Sequence, residues 1–335
     1  KPGVRRHRGP GMTGHENRNG RDDEKGVALL TVLLMVAVMS VMATGVLEEI
    51  RLSIRRTANA EAVGQARWYA LGAEAIARTQ VARLVAAGTT SGEWSGRMAR
   101  YPVEGGEVAA GIVDGGACFN LNSVVEGSHE GYRRSDAGVV QFLSLTRALG
   151  RGQREGEMLA AALVDWIDTD PLREGGGAED EAYGGQGSGY LTSGALLAET
   201  SELRAIRGFT PSVYARLRPF VCALPKAGVT AININTVPPE KAALIAMLAD
   251  RPMDVAAART LIAGRPAGGW RTEDFLALPA VVDAAISGDK LTDTSRYFRL
   301  ETEVTYGDAE AITTALLVNE GGRIRLAARR WGPEE

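Results

Sequence analysis

Histidine and cysteine are scarce in this chain. Three histidines (His7, His15 and His129) and two cysteines (Cys118 and Cys222) stand in 335 residues. Two cysteines cannot build a disulfide framework, and two of the three histidines lie near the N-terminus. No Gly-x-Ser-x-Gly, His-Glu-x-x-His or phosphate-loop pattern occurs. The carboxylates that are present could be paired for hydrolysis, but nothing in the sequence supplies a supported cleft, so no enzymatic activity is expected. A marked excess of either charge is missing as well. A net charge of -3 excludes a general attraction to polyphosphate. What remains is a chain long enough to bury a real core and hold two domains, with 41 glycines marking many turns.

One segment is free of charge altogether. Val27 to Leu47 is apolar or small throughout, about the 20 residues that cross a bilayer core. Arg5, Arg6, Arg8, Arg18, Arg21 and Lys25 precede it, so the positive-inside bias holds the leader in the cytoplasm and sends the rest outward. An ordinary signal peptide is shorter and ends in a small-x-small cut, for which Val41-Met42-Ala43 would serve. The pattern, however, does not break after the apolar run. Leu47, Ile50, Ile54, Ala58, Ala62, Ala66, Ala73 and Ile76 recur at helical steps, bridged by Tyr69, while Glu48, Glu49, Arg51, Arg55, Arg56, Glu61 and Arg67 fill the other face. One helix is expected from Val27 to about Ala87, roughly 90 Å long at about 1.5 Å per residue, half in lipid and half packed on a globular domain.

Lys25-Gly26 followed by this run resembles a prepilin cleavage site, where a peptidase cuts after the glycine and the new N-terminus is methylated. The resemblance implies cleavage between Gly26 and Val27 and methylation of Val27. Most pilins carry glutamate as the fifth mature residue, where it pairs with a neighbour's terminal ammonium. Here that position is Thr31. A carboxylate in lipid is costly unless paired, so a subunit with none above it has no use for one. Cys118-Phe-Asn-Leu-Asn-Ser-Val124, Asp165-Trp-Ile-Asp-Thr-Asp-Pro171 and Ala231-Ile-Asn-Ile-Asn-Thr-Val-Pro-Pro-Glu240 follow in order. Together these resemble the GspK-type minor pseudopilins of type II secretion over roughly Lys25 to Trp331.

The resemblance implies an α+β, pilin-like fold: a long N-terminal helix on an antiparallel sheet, with a large, mainly helical domain inserted between strands. Residues 1–26 are then a leader, 27–47 the membrane and assembly segment, 48–125 the first part of the pilin-like domain, 126–290 the insertion and 291–335 the closing strands. The sequence opens on Lys1 rather than Met, which leaves the leader's length open. The implied location is the inner membrane, single-pass, with the C-terminal domain in the periplasm, and the pseudopilus tip after assembly. The implied partners are other minor pseudopilins along the helix from Leu47 to Ile76, a prepilin peptidase and the inner-membrane secretion platform, with no nucleic acid.

Punctuation and alternation support this layout. Arg97–Val103 and Glu107–Val113, split by Glu104-Gly105-Gly106, read as a hairpin, and 296–306, 310–319 and 323–329 alternate as an antiparallel meander. Helical patterns occupy 139–149, 155–167, 199–206, 210–223, 238–249, 254–263 and 272–278 between them.

Two site questions arise inside that region. Asp165, Asp168 and Asp170 lie close in sequence, and a bend at Gly175-Gly176-Gly177 returns Glu179, Asp180 and Glu181 toward them. Hard cations need several oxygen ligands. An EF-hand is rejected, because Arg173 takes the place of its glycine and Leu172 that of a ligand. The resemblance implies structural calcium, with Asp168, Asp170, Glu179 and Asp180 as ligands, which would also order a long glycine-rich loop. Cys118 and Cys222 flank the insertion and stay open to two readings, one disulfide in an oxidising periplasm or two buried thiols. A competing functional class comes from Ser201 to Tyr214, whose helix, Gly208 hairpin and helix are similar to DNA-contacting helix-hairpin-helix units. A membrane-anchored DNA receptor is therefore the alternative, weakened by the lack of clustered cations that phosphate binding requires.

Overall fold

The computed structural model describes Gly3 and residues 19–184 and 189–332. Apart from Gly3 and residues 19–26, the expected leader lies outside them. The first element is one helix, α1 (Asn19–Ala86), beginning upstream of the expected Val27 and ending beside the expected Ala87. It contains no proline, so nothing interrupts its ladder. The chain divides into two units at Glu61 and Ala62, and the first is helical from Asn19 on.

The second unit holds the last turns of α1 and everything after it. Strands β1 (Arg97–Val103) and β2 (Gly106–Asp114) form the expected hairpin. The chain then leaves the sheet until Tyr297. The first half of this excursion runs through β3 (Phe119–Asn120), a hairpin of β4 (Val125–Ser128) and β5 (Gly131–Arg134), α2 (Asp136–Ala148), α3 (Gln153–Ile167), α4 (Asp180–Tyr183), α5 (Pro211–Leu217) and β6 (Val221–Cys222). The second half runs through β7 (Ile232–Asn233), α6 (Ala243–Ala246), α7 (Val255–Ala263), α8 (Thr272–Leu276), α9 (Pro279–Asp283) and β8 (Leu291–Thr292). Strands β9 (Tyr297–Tyr306), β10 (Ala309–Glu320) and β11 (Arg323–Trp331) then complete an antiparallel sheet in the order β1-β2-β9-β10-β11.

Alternation decides which side of the sheet is covered. Phe298, Leu300, Thr302 and Val304 of β9 and Ala311, Thr313, Ala315 and Leu317 of β10 are buried. Against them α1 sets Ala66, Ala70, Ala77 and Val81, small residues that let helix and sheet approach closely. Glu74 lies among them, with its carboxylate held by Arg329 of β11 at 2.7 and 3.0 Å and by Arg78. The expected packing face needs correction here. Ile76 is 65% exposed, because the steps from Ile50 and Ile54 lead on to Trp68, Gly72 and Ile76. At about 100° per residue that stripe lies roughly 150° round the helix from Ala66, Ala70, Ala77 and Val81.

The excursion has its own core, which includes Phe119, Phe142, Leu163, Leu203, Leu244 and Phe275. Phe119, Leu121, Val124 and Val125 belong to this core, which therefore reaches upstream of residue 126. The helix expected over 210–223 stops early. Pro219 has no N–H to continue a ladder, and Arg218–Phe220 is a 3-10 turn leading into β6.

The two halves close alike. β3 pairs with β6, and β7 with β8, both in parallel. Each opening strand begins an Asn-x-Asn-Ser/Thr run, Asn120 to Ser123 and Asn233 to Thr236. The first asparagine accepts from the backbone N–H of the second, at 3.2 and 2.9 Å. The second asparagine then clamps a distant loop as a strand would. Asn122 accepts from Leu197 N–H (2.8 Å) and donates to the carbonyls of Leu197 (2.9 Å) and Leu224 (2.8 Å). Asn235 does the same for Trp270, accepting at 2.8 Å and donating at 2.9 Å. The Ser123 hydroxyl donates back to the carbonyl of Asn120, whereas the Thr236 hydroxyl donates to Asp114 instead.

Candidate functional site

Three features of this fold bear on function: the apolar half of α1, the acidic loop after α3, and the base of the excursion. In the first, Gly26 and Val27 lie within α1 and are exposed. Hydroxyls are the polar side chains of the segment that follows, and they are satisfied locally. Thr31 donates to Ala28 O (2.9 Å), Ser40 to Val36 O (2.7 Å) and Thr44 to the carbonyls of Ser40 and Val41. A segment whose polar groups are met within the helix suits a bilayer, which offers no partners. Gly26–Ala86 is the helix long and apolar enough to cross a membrane among the described residues.

The acidic loop gathers all four expected ligands. Asp168 caps α3, and the chain turns back so that Asp168, Asp170, Glu179 and Asp180 line one open pocket of about 810 Å³ with Thr192 and Arg207. Asp165, one turn earlier, is fully buried and works differently. Its Oδ1 accepts from Glu174 N–H at 2.9 Å, which folds the loop back on α3. Gly177 is required there, because a Cβ would collide with Asp165 Oδ2. Asp170 accepts from Leu172 N–H, and Asp180 from both the N–H and the hydroxyl of Thr192. Trp166, Tyr183 and Tyr190 pack ring to ring beneath, at 5.3 to 5.9 Å between centroids.

Electrostatics leave this cluster under-neutralised. Asp168 is 5% exposed, and burial, followed by the charges of Asp170, Asp165, Glu179 and Glu174, pushes its carboxyl up to about 7. Burial first, and then neighbouring carboxylates, also raise Glu179. Asp165 is raised by burial against the pull of its backbone hydrogen bonds. Asp168 Oδ1, Glu179 Oε1 and Asp165 Oδ2 are buried oxygens without a hydrogen-bond partner. Such an all-oxygen, electron-rich set fits a hard cation. Among the described residues, no three His, Cys, Asp or Glu side chains already converge as a metal site.

At the base of the excursion Cys118 and Cys222 are joined as a disulfide, with their Cα atoms 5.8 Å apart. Beside it stands a group the sequence reading passed over. Asp114, at the end of β2, is buried and accepts from Thr236, Ser295 and Gly116. Burial raises its carboxyl, against those three donors. Asn122 and Asn235 were likewise not singled out as clamps, although the repeated Asn-x-Asn-Ser/Thr runs were a visible signal.

A long helix on a five-stranded antiparallel sheet, interrupted by a helical excursion, defines a pilin-like subunit with an insertion. Comparison with known proteins carries this further. The family description "Type II secretion system (T2SS), protein K" matches residues 117–226 and 232–293. Type II secretion system protein K of Klebsiella pneumoniae is 35% identical over 316 residues, covering 92% of this chain and 97% of that protein. The Aeromonas hydrophila protein K is 34% identical, covering 88% and 92%. A chain of the GspK-GspI-GspJ complex from enterotoxigenic Escherichia coli superposes with a TM-score of 0.72 at 27% identity, covering 83% of this chain and 99% of that one. The chain belongs to the type II secretion system protein K family. It has the role of a minor pseudopilin, a structural component of protein secretion, and the comparisons lend no support to the DNA-receptor alternative.

Proposed function

We propose that this subunit occupies the tip of the pseudopilus, where it starts or caps assembly with other minor pseudopilins. Before assembly the segment 27–47 spans the inner membrane once, with the second unit in the periplasm. A prepilin peptidase cuts between Gly26 and Val27 and Val27 is methylated, and the inner-membrane platform then draws the helix into the filament. The observation that carries the tip reading is Thr31. Its hydroxyl is spent within its own helix, so it presents no carboxylate to the ammonium of a subunit above.

Partners are met on the uncovered side of α1. Leu47, Ile50 and Ile54 are exposed in the first unit, and Trp68 (71%) and Ile76 in the second. Gly72 between the last two has open space around it, which admits another helix closely. The GspK-GspI-GspJ complex makes two further minor pseudopilins the natural occupants.

The acidic loop serves this role as a rigid surface element. Asp168, Asp170, Glu179 and Asp180 would hold calcium, which when bound supplies positive charge to the mutually repelling carboxylates and fixes the loop. Co-purification tests the partner reading: Trp68→Glu with Ile76→Glu should release the other minor pseudopilins from the full chain and stop secretion. Retention of both partners by a folded double variant would refute it. Calcium should raise the melting temperature of the wild-type chain and leave Asp168→Ala, Asp170→Ala unmoved.

A further inference from the structure

The face of the sheet turned away from α1 carries a groove of its own. Side chains alternate along a strand, so the residues between those covered by α1 point the other way. Arg299, Leu316 and Ala328 form one such row across β9, β10 and β11, and Glu301, Thr314 and Arg330 form the next. Where these rows meet the insertion, two cavities of about 460 and 440 Å³ share Gly115, Cys222 and Arg299. They make one groove between sheet and insertion, on the opposite side of the sheet from α1.

The walls suit an extended chain. Ala327, Ala328, Arg329 and Arg330 are consecutive in β11, and all line the second cavity. With alternating side chains, that happens where the backbone edge of a strand faces the opening. β11 is an edge strand, and an edge presents N–H and C=O groups that an added strand can pair. The insertion contributes residues 197–200 and 222–225, and the Cys118–Cys222 bond fixes the base of that wall. Ala198, Ala223, Pro225 and Leu316 make this cavity largely apolar.

Charge selects the occupant. Arg218 and Lys241 line the first cavity, Arg299 both, and Arg330 the second. Two carboxylates, Asp114 and Glu199, stand with them. Glu199 is held by Arg330 at 2.9 Å, and Asp114 is buried against Thr236, Ser295 and Gly116. Arg299 shares Glu301 at 2.9 Å. Positive charge therefore predominates along the groove, most at its Arg218 and Lys241 end, in a chain whose net charge is -3.

We propose that this groove binds an extended acidic peptide segment of a partner protein, its carboxylates toward Arg218, Lys241 and Arg299 and its small apolar residues over Leu316 and Ala328. The site is separate from the α1 face that meets other minor pseudopilins, so one subunit could hold both at once.

Fluorescence anisotropy on the full chain in uncharged micelles tests this, with a labelled peptide of alternating glutamate and alanine as probe. The probe should bind, and its glutamine counterpart should bind at least about tenfold more weakly. Arg218→Glu with Lys241→Glu at one end, and Thr314→Glu at the other, should each weaken the glutamate probe by a similar factor, with melting temperatures showing that both variants fold. Raising salt from about 50 to about 300 mM should weaken it too. Trp68→Glu with Ile76→Glu should leave it unchanged, which separates this site from the partner face of α1. No binding of the glutamate probe, equal binding of the glutamine probe, or full affinity in either groove variant would overturn the proposal. Displacement of the probe by inorganic phosphate or duplex DNA at lower concentration than by unlabelled peptide would overturn it as well, and make the groove a phosphate site.

Discussion

Replacing Asn122 by alanine should cost more stability than its size suggests. The side chain is wholly buried and makes three hydrogen bonds to backbone 75 and 102 residues away, one accepted from Leu197 N–H and two donated to the carbonyls of Leu197 and Leu224. Alanine leaves the N–H and carbonyl of Leu197 unpaired, while the Leu224 carbonyl loses one of two donors and keeps Lys226 N–H at 2.7 Å. Each orphaned buried group costs about 1–3 kcal/mol, and a water entering the vacated space recovers part of the sum. A net loss of about 3 kcal/mol is expected. At roughly 2–4 °C per kcal/mol for a domain of this size, the melting temperature should fall by about 6–12 °C. The assay is thermal and urea unfolding of the full chain in micelles, followed by tryptophan fluorescence. A loss below about 1 kcal/mol would show that the Leu197 N–H and carbonyl find other partners, and the clamp reasoning would fail.

Other substitutions probe separate parts of the account. Asp168, raised from an ordinary carboxylate value to about 7, binds its proton more tightly folded than unfolded. Without metal, stability should therefore fall as pH rises from about 4 to 7 and level off above, and Asp168→Asn should flatten that slope in urea midpoints taken with a chelator. Glu74 has the opposite sign. Burial raises its carboxyl, but hydrogen bonds and charge from Arg329 and Arg78 outweigh that and lower it. Its contribution should be present at neutral pH and disappear in acid, and Glu74→Gln should cost about 2 kcal/mol at pH 7, discounting buried-pair values for Arg329's partial exposure. Ala285 follows α9 with φ +54°, a region unfavourable to alanine. Ala285→Gly should stabilise by about 0.5–1 kcal/mol in the same unfolding assay.

Much of this architecture was legible because its signals are local. A proline-free apolar run announced α1, and period-two alternation placed β9 to β11 within a residue or two. The acidic pocket was legible because Asp168, Asp170, Glu179 and Asp180 lie within 13 positions of sequence and a glycine bend returns the chain. What escaped the sequence was long-range. Nothing near Asp114 announces Ser295, 181 residues on, and nothing near Asn122 announces Leu224. Helical periodicity marked the apolar positions of α1 but merged two stripes. Only the sheet decides that Ala70 is covered and Ile76 open.

The central claim is that α1 is an assembly helix released by cleavage at its charged border. Mass spectrometry of the chain purified from cells carrying the secretion system tests it most directly. The account predicts a mature protein starting at N-methylated Val27, and a Gly26→Ala variant that keeps its leader. A wild-type chain that retains the leader, or one cut near Ala43, would contradict it.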